Sequence, residues 1–181
     1  LLAGCLVFAW ARFVEPQRIQ VQETVLTGTR AQARLVLISD LHLGVYKDRA
    51  YLQRLVDRIN TLRADAVVIA GDFTYEPGGE PLERMFAPLE TLQKPVYAVL
   101  GNHDQQAPGP DIDAELRAAL ATHGVQVIEG RTVTVRGFGV AGLGDRWAGK
   151  DDPGFLAAGP APGPTLVLAH NPDSAIALDP A

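Results

Sequence analysis

A chain of 181 residues with 47% hydrophobic and 20% charged side chains is long enough for one domain with a substantial core, and nothing in it suggests two. Its net charge of −5 leaves no basic surface to hold nucleic acid by counterion release, so a phosphorylated ligand would have to be held by local charge. The single cysteine, Cys5, excludes an intrachain disulfide.

Leu1 to Val14 is apolar except for Arg12. A membrane span needs about 20 apolar residues. Residues 1–14 therefore read as the last part of a membrane anchor, or of an uncleaved signal. Two other readings stand beside it: a buried first helix of the domain, and a lipidated Cys5 in Leu2-Ala-Gly-Cys5. Arg12, Arg18, Arg30 and Arg34 lean toward a cytoplasmic domain without fixing the side of the membrane.

Residues 15–34 read as a connecting region. Within it, Ile19 to Leu26 alternates apolar and polar, predicting a strand with one wet face that ends at Thr27-Gly28. The apolar run Leu35-Val-Leu-Ile38 then leads into Asp40-Leu-His-Leu-Gly44. Asp48 is the expected N-cap of a helix through Leu62, with Leu52, Leu55, Val56, Ile59 and Leu62 on one stripe. A second run, Ala66 to Ala70, ends at Gly71-Asp72 and completes a βαβ unit. Tyr75 to Gly79 is a loop; Leu82, Met85, Phe86 and Leu89 mark a helix that Pro88 must kink or restart. The strand Val96 to Leu100 follows, and then a loop from Gln105 to Pro110.

Ile112, Leu116, Ala119 and Leu120 define a third helix, capped by Asp111 and ending at His123-Gly124. Short strands are predicted over Val125–Ile128, Thr132–Val135 and Phe138–Ala141, with a hairpin turn at Arg136-Gly137. Asp145 reads as a turn residue. The Gly- and Pro-rich stretch Gly149 to Pro164 is a loop with room for one helical turn, and the stretch expected to shape a substrate pocket. Leu166 to Ala169 is the last apolar run, before His170. The pattern is that of an α/β domain whose later part is mostly β.

Four polar clusters sit at the ends of these runs: Asp40-x-His42, Gly71-Asp72, Gly101-Asn102-His103-Asp104 and His170. Taken singly, each has an ordinary reading as a cap, a turn or a buried histidine. Together they differ, because ligands in open α/β sheets bind beyond the carboxyl ends of the strands. Four strands ending in Asp, His or Asn gather oxygen and nitrogen donors on one edge, as a metal site requires. Asp40 and His42 flank Leu41, so in an extended segment both point to one side.

These residues, with the wider Asp40-Leu-His-Leu-Gly44, Gly71-Asp-Phe-Thr74 and His170-Asn-Pro-Asp173, resemble the calcineurin-like metallophosphoesterases. With the apolar start and Arg12-Phe-Val-Glu-Pro16, the resemblance extends to a bacterial membrane-associated branch, which implies a place at a bacterial inner membrane. It implies a four-layer αββα sandwich over residues 35–181 and a centre of two divalent cations, Mn, Fe or Zn. By resemblance, Asp40 and His42 bind the first metal, Asp72 bridges, and Asn102 and His170 bind the second. His103 serves as proton donor to the leaving group, with Asp104 orienting its ring. The implied activity is hydrolysis of a phosphodiester, phosphomonoester or pyrophosphate by a metal-bridging hydroxide, the membrane segment favouring a lipid-linked substrate. The family pattern continues after the His170 strand with Gly-His-x-His, which is not in this sequence. The expectation is a C-terminally incomplete domain, inactive by itself, within a longer active protein. The rival expectation is a non-catalytic interaction module on the same fold.

Overall fold

The computed structural model describes residues 2–27, 32–105, 111–158 and 163–178. The expected turn at Gly28, Arg30, the loop at 106–110 and part of the 149–164 loop (159–162) lie outside them. Helix α1 (Leu2–Ala9) continues as a π-helical stretch, Trp10–Val14, and a 3-10 turn, Glu15–Gln17. No residue of α1 or of the π stretch is buried, which overturns the reading of a buried first helix. No described helix is long and apolar enough to cross a membrane.

The predicted strand over Ile19 to Leu26 is absent. Ile19 packs against the core, whereas Val21, Val25 and Leu26 are exposed. Alternation gives a segment two faces, but a strand also needs a partner edge, and none pairs with it among the described residues.

From Leu35 onward the elements follow the apolar runs: β1 (Leu35–Ile38), β2 (Leu43–Gly44), α2 (Arg49–Asn60), β3 (Ala66–Ala70), β4 (Thr74–Tyr75) and α3 (Leu82–Phe86). Then come β5 (Val96–Val99), α4 (Asn102–Gln105), α5 (Asp113–Thr122), β6 (Val125–Val127), β7 (Arg131–Val135), β8 (Phe138–Gly142) and β9 (Thr165–Leu168). The first sheet is parallel in the order β1-β3-β5-β6. The second has the order β7-β8-β9, with β7 antiparallel to β8 and β9 parallel to it. Arg136 and Gly137 both take positive φ (54° and 79°) in the β7–β8 turn, the conformation a tight hairpin favours.

Strand β3 shows why the layers stack as they do. Val67 and Ile69 face a core shared with Leu52 and Val56 of α2, Phe86 of α3 and Leu116 and Leu120 of α5. Ala66, Val68 and Ala70 face the other way, against Val135, Val140 and Leu168 of the second sheet. A parallel strand covered on both faces reads as a continuous apolar run. The described layers are helix, sheet, sheet, the mixed α/β arrangement of the expected sandwich.

Asp48 caps α2 as expected, its carboxylate accepting from the Tyr51 amide at 2.8 Å. Asp48→Ala should cost about 1 kcal/mol of stability, read as a lower urea midpoint at unchanged slope. Pro88 ends α3 and starts a 3-10 turn, Ala87–Thr91. Asp111 does not cap α5. The cap position is Ile112, and Asp111 accepts from the Asp113 amide at 3.1 Å in a turn just before the helix. Asp145 is a turn residue, taking the Ala148 amide at 2.9 Å, and Pro153–Ala158 supplies the helical turn of the Gly/Pro-rich loop.

Candidate metal centre

Asp40, Asp72, Asn102 and His170 each lie two or three residues beyond β1, β3, β5 and β9. Backbone bonds stitch the first two loops together: Asp40 N to Gly71 O (3.1 Å), His42 N to Asp72 O (3.0 Å) and Leu43 N to Phe73 O (2.9 Å). Leu41 is buried while Asp40 and His42 turn to the same side. The segment is not extended, however. Asp40, His42 and Asp72 all have left-handed backbones, with φ of 55°, 48° and 53°. For a non-glycine residue this costs roughly 1–3 kcal/mol each and persists where the surroundings over-determine it, typically at functional sites.

Asp72 is the centre of the cluster and 3% exposed. Its Oδ2 lies 3.0 Å from His42 Nε2 and 3.9 Å from His103 Nε2; its Oδ1 lies 3.4 Å from His170 Nε2 and accepts the His103 amide at 3.2 Å. His42 Nε2 is also 3.6 Å from Asp40 Oδ1, and His170 Nε2 is 3.3 Å from Asn102 Oδ1. Ligand atoms of His42, Asp72 and His103, and separately of Asp40, Asp72 and His170, lie within 4.8 Å of one another. One carboxylate thus joins two donor sets through its two oxygens. Burial pushes the Asp72 carboxyl up, but the His42 bond and the nearby His170 and His103 rings outweigh it and hold the group below the usual range.

The residues fit cations on a specific observation. His170 Nδ1 is 2.8 Å from the carbonyl of Ala70, an acceptor only, so that nitrogen carries a proton. In a neutral ring, Nε2 is then a bare lone pair facing the Asp72 carboxylate and the Asn102 side-chain oxygen. Oxygens gathered around an imidazole lone pair form a donor set that a metal ion would satisfy.

Asp104 differs from its expected part. It is fully buried, and its oxygens accept from Gly101 N (3.1 Å), Phe73 N (3.1 Å), Thr74 N (3.0 Å) and Thr74 Oγ1 (3.0 Å), with the His103 ring not among these partners. It braces the loop carrying Asp72 against the turn carrying Asn102. Burial pushes its carboxyl up to about 6 against the pull of the backbone donors. From near 3.8 to about 6 the native state keeps a proton that the unfolded chain releases, so rising pH removes up to roughly 3 kcal/mol of stability through this group. The deficit of Asp104→Asn should therefore be larger at about pH 4.5 than at about pH 6.5, measured by urea unfolding in chelator.

Three residues around the cluster carried no sequence signal. The Ser39 hydroxyl bonds Asp40 Oδ2, and Lys47 Nζ donates to the Asp40 carbonyl at 2.9 Å. Tyr75 packs on both His103 (4.8 Å between centroids) and His42 (5.6 Å), and the two histidines meet edge to face at 5.2 Å. Only the position of Tyr75, three residues after Asp72, could have drawn notice. His123 ends a helix as expected, and its ring nitrogen Nε2 lies 2.6 Å from the Glu83 carbonyl.

A family model described as calcineurin-like phosphoesterase matches residues 33–176. The UDP-2,3-diacylglucosamine pyrophosphatase LpxG of Chlamydia trachomatis is 34% identical over 111 residues, 58% of this chain and 34% of that protein. A transmembrane protein with metallophosphoesterase domain from Danio rerio is 31% identical over 160 residues, 78% of this chain and 36% of that protein. The phosphodiesterase YaeI of Escherichia coli is 25% identical over 177 residues, 92% of this chain and 64% of that protein. The chain thus spans between 34% and 64% of the length of these relatives.

Proposed function

Because the chain belongs to the calcineurin-like phosphoesterase family, we propose that the full-length protein is a membrane-associated hydrolase of phosphoester or pyrophosphate bonds working with two divalent cations. The observation that carries this reading is Asp72, whose two oxygens each face a different imidazole nitrogen. Asp40 and His42 would hold one cation, Asn102 and His170 the other, with Asp72 shared. When bound, such a pair supplies an acidified water and charge neutralisation for in-line displacement at phosphorus, and the mixed oxygen and nitrogen donors suit Mn, Fe or Zn.

The chain's own residues do the rest. His103 lies beside the cluster at the greater distance of 3.9 Å from Asp72, packed between Tyr75 and His42. That placement suits it to hold a proton at Nε2 for the leaving oxygen. Its amide bond to Asp72 Oδ1 sets its distance from the shared carboxylate. Asp104 acts by positioning: it holds the Phe73-Thr74 loop to the Gly101 turn and so keeps Asp72 opposite Asn102. The lipid-linked substrate is supported by the name of the chlamydial relative, and the membrane by that of the fish relative and by the exposed apolar α1.

The test is manganese-dependent hydrolysis of an aryl phosphodiester by the full-length protein beside its His103→Ala variant. Turnover should vanish with chelator and fall at least about a hundredfold in the variant, the scale of losing a general acid. Wild-type rates in the variant under saturating metal would remove His103 from the role. A protein with neither turnover nor bound metal would instead be an interaction module on this fold.

A further inference from the structure

The five cation–π contacts found among the described residues fall in one place. Arg12 lies over Phe13 (5.4 Å) and Tyr46 (5.8 Å), Arg18 over Trp10 (5.8 Å), and Lys47 and Arg54 over Tyr51 (5.2 and 5.6 Å). Arg54 also donates to the Gln17 side chain at 2.7 Å, and Ile19 packs on the core, so the segment leaving α1 is held against α2. The contacts close a ring: apolar helix, Arg12, Tyr46, the adjoining Lys47, Tyr51, Arg54, Gln17. Around it, Leu6, Val7, Phe8, Phe13, Val45 and Tyr46 are exposed.

Aromatic rings topped by arginine and lysine next to an unburied apolar helix have the composition of a bilayer interface, where rings and long basic stems keep their apolar parts in lipid and their charges among head groups. The ring also reaches the candidate metal centre. Tyr46 packs on Tyr75 (5.1 Å), Tyr75 on His103 (4.8 Å), and Lys47 Nζ holds the Asp40 carbonyl.

We propose that the surface made by residues 10–18, Val45 and Tyr46, backed by the buried Tyr51, docks on an anionic phospholipid bilayer and seats the mouth of the metal centre at head-group depth. The phosphate of a bilayer-borne substrate then meets the site across the Tyr46–Tyr75 ledge. The docking itself stands on these contacts; the ledge as a substrate path rests on the phosphoesterase reading. Attraction comes from Arg12, Lys47 and Arg54, with Arg18 already paired to Glu15 at 3.4 Å, and is weakened by salt.

The test places an environment-sensitive fluorophore at Val45→Cys in the full chain carrying Cys5→Ser, and for comparison at Glu115→Cys, an exposed position on α5 near the β6 edge of the sheet. The probe is mixed phosphatidylcholine–phosphatidylglycerol vesicles containing brominated lipid. Emission from position 45 should be quenched by about half or more, and position 115 should stay unquenched. Equal quenching at both positions, or none at 45, overturns the docking. Quenching at 45 with no hydrolysis of any phosphodiester upholds the docking and counts against the phosphoesterase reading alone. As the second readout, Tyr46→Ala should raise KM for a vesicle-displayed phosphodiester about tenfold relative to a soluble one, and Tyr46→Phe should restore it. A ratio unchanged in Tyr46→Ala removes the ledge.

Discussion

Asp72→Asn is expected to lower turnover by roughly a thousandfold or more, beyond the 10–100-fold typical of losing an outer partner of a metal site. The reason is geometric. Both donor sets converge on this one carboxylate, with His42 on Oδ2 and His170 on Oδ1. An amide keeps the shape and can still accept the His103 amide bond, now 3.2 Å long, through its single oxygen. It has lost the negative charge and one of the two acceptors, and its NH₂ group presents protons where a cation would be. The fold should survive, because the substitution changes no volume in a site whose neighbours can bond either group. Metal content by elemental analysis, alongside steady-state rates, separates the two consequences. Wild-type metal content together with wild-type rates would show that Asp72 is not shared between cations.

The parts of this architecture that could be read from sequence are those where one local pattern had one physical solution. Leu35–Ile38, Ala66–Ala70 and Val96–Val99 are short apolar runs that a buried parallel sheet accepts, and each became a strand. Asp48 ahead of a 3.6-residue stripe could only be a cap. Because the clusters directly follow those strands, their convergence on one edge came with the topology.

What could not be read depended on partners distant in sequence. Ile19 to Leu26 alternates like a strand, yet no edge among the described residues takes it up. The two-residue pair β2–β4 is too short for any periodic signal, and so is the single turn α4 that carries Asn102 and His103. The family resemblance pairs Asp104 with its sequence neighbour His103. Its actual partners are the Phe73 and Thr74 amides, some thirty positions earlier, and only the fold brings them together. Nor does composition announce left-handed backbones at Asp40, His42 and Asp72, because the glycine that usually marks them is missing at all three.

That tight seating leads to the second large effect. A Cβ at Gly101 would fall 2.0 Å from Asp72 Oδ1, 2.6 Å from Asp72 N and 2.8 Å from Asp72 Cγ. Gly101 is not in a positive-φ conformation, so the objection to Gly101→Ala is purely one of space. The carboxylate has no easy retreat, being held by His42, by the His103 amide and against His170. Either Asp72 swings away from its imidazoles or the turn before Asn102 moves and breaks the Gly101 bond to Asp104. Both routes disperse the cation donors, so Gly101→Ala should match Asp72→Asn in lost metal and lost turnover. Unlike that variant it should also lose about 1–3 kcal/mol of stability in chelator, the cost of overpacking. Gly124→Ala is the matched control: its Cβ meets nothing within 4 Å, so only its φ of 77° opposes the change. It should cost about 1 kcal/mol while keeping metal and activity. If Gly101→Ala kept wild-type metal content at wild-type stability, the close packing of that turn on Asp72 could not be what holds the centre together.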